Sequence, residues 1–376
     1  MCQGQDYAEG RWLNLTVPEL AQLSQENGNV PQYCVGERCS RTMAPPRCGD
    51  SNCAGYWPSP NEKEPLNSAH WDHGHVCIEA KMSLNMTSYE ATRSLLKYKW
   101  QPDTCDLVPW DADTFCRLLG ERIISFYGDS TMAQVFASLT SLLITHFRTH
   151  RTEASRNCVS QLHFFWSDRI DYSSYPRGRG LPFAETWKSI NYRNRESEEP
   201  NQDIVVVSAG AHTLVPMGSV VEAMRNITTV EQLLVSPILD FFFPKVGDAL
   251  EFLTDKSNDR SIGKLKPKSV IIKLMSPPHP NCGRYSAPID LDSDVDRDYF
   301  HSSTSGYHWE AVAEADRLMT LFADKYPVGI IDMRPLMKRP DAHAYPITQD
   351  CMHYCIPGPL DLFANLLLHA LSLGEA

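Results

Sequence analysis

"RIISFYGDSTMAQVF", residues 122–136, decides how the rest of the chain is read. Ile123, Ile124, Phe126 and Tyr127 suit a buried strand. The strand breaks at Gly128-Asp129-Ser130, and a helix-like run with few charges follows. One small side chain, Ser130, is left at the turn. Two readings fit it. Ser and Asp are favoured helix N-caps, because their oxygens accept the free N–H groups of the first turn. Ser130 also suits a nucleophile, which requires a base, a group to orient that base, and donors for an oxyanion.

The same alternation continues along the chain. "DADTFCRLLG" (111–120) reads as a helix ending in glycine, and 131 to about 146 as an apolar helix. "QLHFFW" (161–166) reads as a strand. "DIVVVSAG" (203–210) reads as a strand buried on both faces, "SVIIKLMSPP" (269–278) as another buried strand, and "VGIIDMRPL" (328–336) as a further strand. Helices are expected at 229–253, 308–326 and 358–373. Trp100-Gln101-Pro102 reads as the break of a short element after Tyr89. Strands alternating with helices imply an α/β fold whose parallel sheet is covered on both sides. Ligands then bind at the carboxyl ends of the strands, where Ser130, Gly210 and "SPPHP" (276–280) all fall.

Composition narrows the function. The 376 residues are 42% hydrophobic and 22% charged, the balance of a soluble globular protein. A formal charge of −11 argues against nucleic acid and against anionic lipid as partners. No stretch reaches the roughly 20 apolar residues that span a bilayer. The polar start "MCQGQDYAEG" is not a signal peptide, so for a secreted chain a targeting or anchor segment would lie outside it. Of twelve cysteines, eight fall within the first 116 residues, a region rich in Pro, Gly and Asn. Residues 1–88 therefore read as a Cys-rich, loop-rich region stapled by disulfides in an oxidising compartment. Sequons at Asn14, Asn85 and Asn226 point the same way. "HWDHGHVC" (70–77) offers His, Asp and Cys ligands, but its spacing fits no zinc pattern, and no metal is expected.

Partners for Ser130 stand near the C-terminus. In "TQDCMHYCIPGPLD" (348–361), Asp350 and His353 lie three residues apart, and such residues on one turn can point the same way. An Asp so placed can hold the imidazole in one tautomer while the other ring nitrogen faces a serine hydroxyl. An ordinary loop with a satisfied histidine is the alternative.

Gly128-Asp129-Ser130 together with Asp350-Cys-Met-His353-Tyr-Cys-Ile-Pro-Gly resembles the paired GDS and DxxH motifs of the PC-esterase, or trichome birefringence-like, family. "YKWQPDTCDLVPWDADTF", "DIVVVSAGAH", "SPPHPNC" and "RPDAHAY" (339–345) resemble further segments of that family, in the same order, across most of residues 89–370. The resemblance implies an SGNH-hydrolase-like three-layer sandwich over residues 89–376, with residues 1–88 packed on it. It implies a polysaccharide O-acetyltransferase of the Golgi lumen or outside the cell. Ser130 is then the nucleophile, His353 the base and Asp350 its orienter. Gly210, Gln134, Asp129 and His212 are candidates for the oxyanion and substrate site. The resemblance also implies a Cys282–Cys351 disulfide. Numbers alone suggest that Cys355 pairs with an N-terminal cysteine.

The expected partner is a carbohydrate polymer. No bound cofactor is expected beyond an acetyl donor as co-substrate, and a membrane anchor would lie outside this chain. A carbohydrate esterase and an inactive carbohydrate-binding or scaffolding protein are the alternatives. The resemblance implies a divergent member. Plant enzymes continue GDS as Leu-x-Arg-Asn-Gln, whereas Thr131-Met132-Ala133-Gln134-Val135 lacks the Arg and carries Gln134 where Asn is usual. The family's Asn-Thr-Gly-His is Ser208-Ala209-Gly210-Ala211 here, with His212 one place later.

Overall fold

A computed structural model describes residues 1–3, 5–16, 96–150, 158–166, 204–208, 221–236, 250, 253–254, 267–290, 308–343, 350–356 and 358–374. Seven strands are seen among them: β1 (Gly10–Asn14), β2 (Tyr98–Pro102), β3 (Ile124–Gly128), β4 (Leu162–Trp166), β5 (Ile204–Val207), β6 (Ser269–Lys273) and β7 (Gly329–Ile331). The helices are α1 (Ala112–Leu119), α2 (Ser130–His150), α3 (Val221–Arg225), α4 (Val230–Leu234), α5 (Val312–Ala323) and α6 (Asp361–Leu373).

Strands β3 to β7 form one sheet in the order β4-β3-β5-β6-β7, and every pairing in it is parallel. The side-chain period of two sends alternate residues of each strand to opposite faces. Ile124 and Phe126 of β3, with Ile204 and Val206 of β5, pack against Leu139, Phe136 and Phe363 on the α1, α2 and α6 side. Tyr127, Val205, Val207 and Ile272 face Leu318, Met319 and Phe322 of α5, with Met224 and Leu233 of α3 and α4. The result is a three-layer α/β/α sandwich, and the apolar runs of the strands follow from burial on both faces.

The first strand of the sheet, β3, lies between β4 and β5. The chain steps outward to β4 and then crosses back over β3 to β5. That reversal of winding opens a crevice at the carboxyl end of β3, where ligands bind in open α/β sheets. The topology thus puts the Gly128-Asp129-Ser130 turn at the switch point.

Two expectations are corrected. Trp100-Gln101-Pro102 does not break an element but completes β2, which pairs antiparallel with β1 outside the main sheet. A proline is tolerated at the end of such a peripheral strand. The helix expected within 229–253 is seen as α4 and again at residues 250 and 253–254. Helix α5 starts late, because His308 takes a left-handed conformation (φ 50°) and a 3₁₀ turn precedes Val312.

Residues 1–16 are fastened to the sandwich. Cys2 is disulfide-bonded to Cys105. The Trp12 indole N–H donates to Pro335 O at 2.8 Å, Lys338 Nζ donates to Gly10 O at 2.7 Å, and the Asp332 N–H donates to the Tyr7 hydroxyl at 2.6 Å. A second disulfide, Cys116–Cys158, joins α1 to the segment leading into β4. Among the described residues no helix is long and apolar enough to cross a membrane.

Candidate active site

The turn after β3 is tight because it must be. A Cβ placed on Gly128 would lie 2.5 Å from Met132 Cβ in the first turn of α2 and 3.5 Å from Ser208 Cβ beyond β5. Only glycine lets the helix start this close to the strand end. Asp129 is fully buried, and its Oδ1 accepts from Thr131 N at 2.9 Å and Thr131 Oγ1 at 2.8 Å. The Ala133 N–H donates to Asp129 O at 3.0 Å, the first bond of the helix. Asp129 is therefore the N-cap. Ser130 is the first helical residue, and its hydroxyl is not spent on capping. Its N–H is one of those that a helix start leaves without an intrahelical acceptor.

The Ser130 hydroxyl lies 2.8 Å from His353 Nε2, across 223 positions of sequence. His353 Nδ1 lies 2.7 Å from Asp350 Oδ2. A carboxylate can only accept, so Nδ1 carries the proton and Nε2 is left bare to accept from the serine. Asp350 Oδ1 accepts from Met352 N at 2.8 Å and His353 N at 3.0 Å. Burial pushes the Asp350 carboxyl up, but the hydrogen bonds and charge of His353, with the two backbone donors, outweigh it and hold the group well below the usual carboxylate range. Asp350 is therefore ionised at neutral pH.

The loop carrying Asp350 and His353 is held on every side. Cys351 is disulfide-bonded to Cys282, and the His279 N–H donates to Cys351 O at 2.9 Å. Gln134 Nε2 donates to Tyr354 O at 2.8 Å, and the Tyr354 N–H donates to Gln134 Oε1 at 3.1 Å. The Cys355 N–H donates to Ala342 O at 2.8 Å. Cys355 is itself disulfide-bonded, to a cysteine outside the described residues. Just beyond the loop, Ser138 Oγ donates to Asp361 Oδ1 at 2.5 Å, tying α2 to the start of α6.

Two ionisable groups lie buried further along the sheet edge. Lys273 ends β6 fully buried, and its Nζ donates to Leu274 O at 3.1 Å. Burial pulls its pKa down to about 8 against the attraction of Asp129 and Asp316. Asp316 of α5 accepts from Met275 N at 2.9 Å, and burial pushes it up to about 8.

The structure therefore brings Ser130, His353 and Asp350 into one hydrogen-bonded chain. It also brings Asp129 and Gln134 next to it, in other roles than oxyanion or substrate contact. The Asp129 carboxylate is turned inward as a cap, and both ends of the Gln134 amide are taken by Tyr354, because both side chains are buried in the packed turn of α2. Gly210 and His212 lie outside the described residues, as does the 70–77 stretch. Residues not assigned a role from sequence are His279, His343 and Tyr354, which lie behind the loop. Their only sequence signal was membership of the "SPPHPNC", "RPDAHAY" and DxxH segments.

Fold and site together define an α/β protein of the SGNH-hydrolase-like kind, with a serine at the end of its first parallel strand. Residues 194–370 match the family described as PC-Esterase, the "GDSL/SGNH-like Acyl-Esterase family found in Pmr5 and Cas1p". The chain carries a PC-Esterase domain. The match includes Asp350 and His353 and begins beyond Ser130. Relatives include Xyloglucan O-acetyltransferase 1 of Arabidopsis thaliana, 22% identical over 321 residues, covering 73% of this chain and 70% of that protein. Xyloglucan O-acetyltransferase 4 of Populus trichocarpa is 23% identical over 314 residues, covering 74% of this chain and 72% of that protein.

Proposed function

We propose that this protein is a polysaccharide O-acetyltransferase that works through an acyl-enzyme on Ser130. The observation that carries the reading is the chain Ser130 Oγ, His353 Nε2, His353 Nδ1, Asp350 Oδ2, with contacts of 2.8 and 2.7 Å. The named activities of the relatives support acetyl transfer to a carbohydrate.

The steps follow from the geometry. His353 Nε2 takes the Ser130 proton as Oγ attacks the acetyl carbonyl of the donor. Asp350, ionised, stabilises the imidazolium that forms. The carbonyl oxygen gains negative charge, and the Ser130 N–H at the start of α2 is one donor for it, aided by the helix dipole. In this reading Gly210, which follows β5 in the sequence, supplies the second donor, and His212 serves the acceptor. The imidazolium returns its proton to the leaving group. A sugar hydroxyl then gives its proton to Nε2, attacks the acetyl-serine, and leaves as the ester while Ser130 recovers its proton. The compartment is the Golgi lumen or the exterior, where the disulfides persist.

A second reading, carbohydrate acetyl esterase, is favoured by the matched family's description as acyl-esterases. It shares every step to the acetyl-enzyme, with water as the acceptor. Acetate release from an acetylated glycan, measured with and without an acceptor sugar, separates the two. Ser130→Ala should abolish both activities and leave no acetyl adduct by mass spectrometry, with the melting point nearly unchanged because Asp129 holds the cap. Asp350→Asn should lower kcat by on the order of 10⁴-fold. An active Ser130→Ala protein ends the acyl-enzyme reading.

A further inference from the structure

Behind the catalytic loop two buried histidines meet ring to ring. His279 Nδ1 lies 2.6 Å from His343 Nε2, and both rings are buried. The outer nitrogens each face a carbonyl oxygen: His279 Nε2 is 2.8 Å from Met337 O, and His343 Nδ1 is 2.9 Å from His353 O.

Counting protons exposes a conflict. A carbonyl oxygen only accepts, so both outer nitrogens must carry hydrogen. A neutral imidazole has one N–H. With both outer positions protonated, the two inner nitrogens would be bare and would face each other lone pair to lone pair. The alternative is to turn one ring to its other tautomer. That ring then points a bare nitrogen at a half-buried carbonyl oxygen, which loses its donor. One additional proton removes the conflict. Three protons on four nitrogens give an unbroken series from Met337 O through both rings to His353 O.

From this geometry we propose that His279 and His343 share one proton across their contact at neutral pH, and that the charged pair is a positioning device for His353. The inference rests on the reading of His353 as the base. His343 Nδ1 holds the main-chain oxygen of the residue whose side chain meets Ser130. His343 and Tyr354 are also paired as an antiparallel bridge, so both ends of the contact belong to the same strut.

The surroundings divide over the charge. Asp341 attracts a proton on His279, Arg339 repels it, and those two are ion-paired at 2.8 Å. For His343, Asp350 attracts and His353 repels. The Tyr354 ring lies on His343 with centroids 4.2 Å apart, where its face can stabilise a cation. The Tyr354 hydroxyl donates to Pro277 O at 2.5 Å and stands 3.3 Å from His279 Nδ1. Burial opposes the charge and lowers the affinity of both rings for a proton, and each ring's charge would repel the other's. Against burial stand the donor that a half-buried carbonyl would lose, the nearby Asp341 and Asp350 carboxylates and the face of Tyr354; the shared proton is the first that the pair gives up as pH rises.

The test is nitrogen NMR of the full chain with ¹⁵N-labelled histidine at pH 7, on the wild type and on Ser130→Ala. One far-downfield proton coupled to two ring nitrogens is expected, with none of the four nitrogens showing the shift of a bare imidazole nitrogen. A bare nitrogen at pH 7 in either ring overturns the shared proton. The positioning role is read in kinetics. His343→Ala should lower kcat by on the order of 100-fold with KM little changed. His343→Asn, which keeps a donor near the Nδ1 position, should recover part of that loss. Unchanged kcat in His343→Ala overturns the positioning role. A shared proton seen beside an active Ser130→Ala protein would leave the pair standing and remove the catalytic reading instead.

Discussion

Gln134 stands one helical turn after Ser130, and the two side chains reach consecutive residues of the distant loop: Ser130 meets His353, and Gln134 holds the main chain of Tyr354 at both N and O. Residues four apart share a helix face. Helix α2 therefore presents a matched pair of contacts that fixes the loop's register as well as its distance. The amide suits this task because it offers one donor and one acceptor to a peptide unit's acceptor and donor.

Removing that clamp should be felt in rate and in stability. Gln134→Ala leaves the buried N–H and C=O of Tyr354 without partners, at a cost of about 1–3 kcal/mol. Thermal unfolding and kcat should both fall. Gln134→Glu should be no better, since a carboxylate would face Tyr354 O. A Gln134→Ala protein with wild-type melting point and kcat would remove the clamp from this account.

Gly128→Ala should be destabilising by about 1–3 kcal/mol, because the new methyl has Met132 Cβ only 2.5 Å away. The helix start would have to move, carrying Ser130 with it. Denaturant unfolding measures the first effect and acetate release the second. Adding Met132→Ala should restore part of the stability; no recovery would show that the strain lies elsewhere.

The Cys282–Cys351 bond closes a segment 69 residues long next to Asp350. Replacing both cysteines by alanine should cost about 2–4 kcal/mol. Activity should fall further than stability explains at temperatures where the variant remains folded, since the loop also loses an anchor. Equal activity per folded molecule, judged by circular dichroism, would limit the bond to a stabilising role.

Asp361 gives a pH dependence of definite sign. Burial pushes its carboxyl from 3.8 up to about 7, against the hydrogen bond from Ser138. The native state then holds this proton more tightly than the unfolded chain does. Its contribution is complete below about pH 4 and is lost as pH rises through about 7. Asp316, raised to about 8 by burial, acts in the same direction. Asp350 acts oppositely: its depressed carboxyl contributes above about pH 4 and loses that contribution in stronger acid. Asp361→Asn should flatten, without abolishing, the fall in melting temperature between about pH 4 and 7. An unchanged profile in the variant would show that Asp361 is ionised in the native protein.

What the sequence by itself determined is the sandwich and the identity of its reactive edge. Ile204–Val207, Ser269–Lys273 and the run into Gly128 read as doubly buried strands because nothing else accommodates uninterrupted β-branched runs between helices. The pairing of Ser130 with Asp350 and His353 was legible only as two motifs at opposite ends of that pattern. The tertiary structure decided what periodicity does not encode. β1 and β2 form a peripheral antiparallel ribbon, and its partner surface, Pro335 and Lys338, lies over 200 residues further along the chain. Asp129 took the cap, because the strand end buries it, and so left the serine hydroxyl for His353. Gln134, His279 and His343 found partners that depend on which loops the closed sheet brings together. The charge on Asp361 and on the histidine pair depends on burial and facing atoms, and both arise only when the chain has packed.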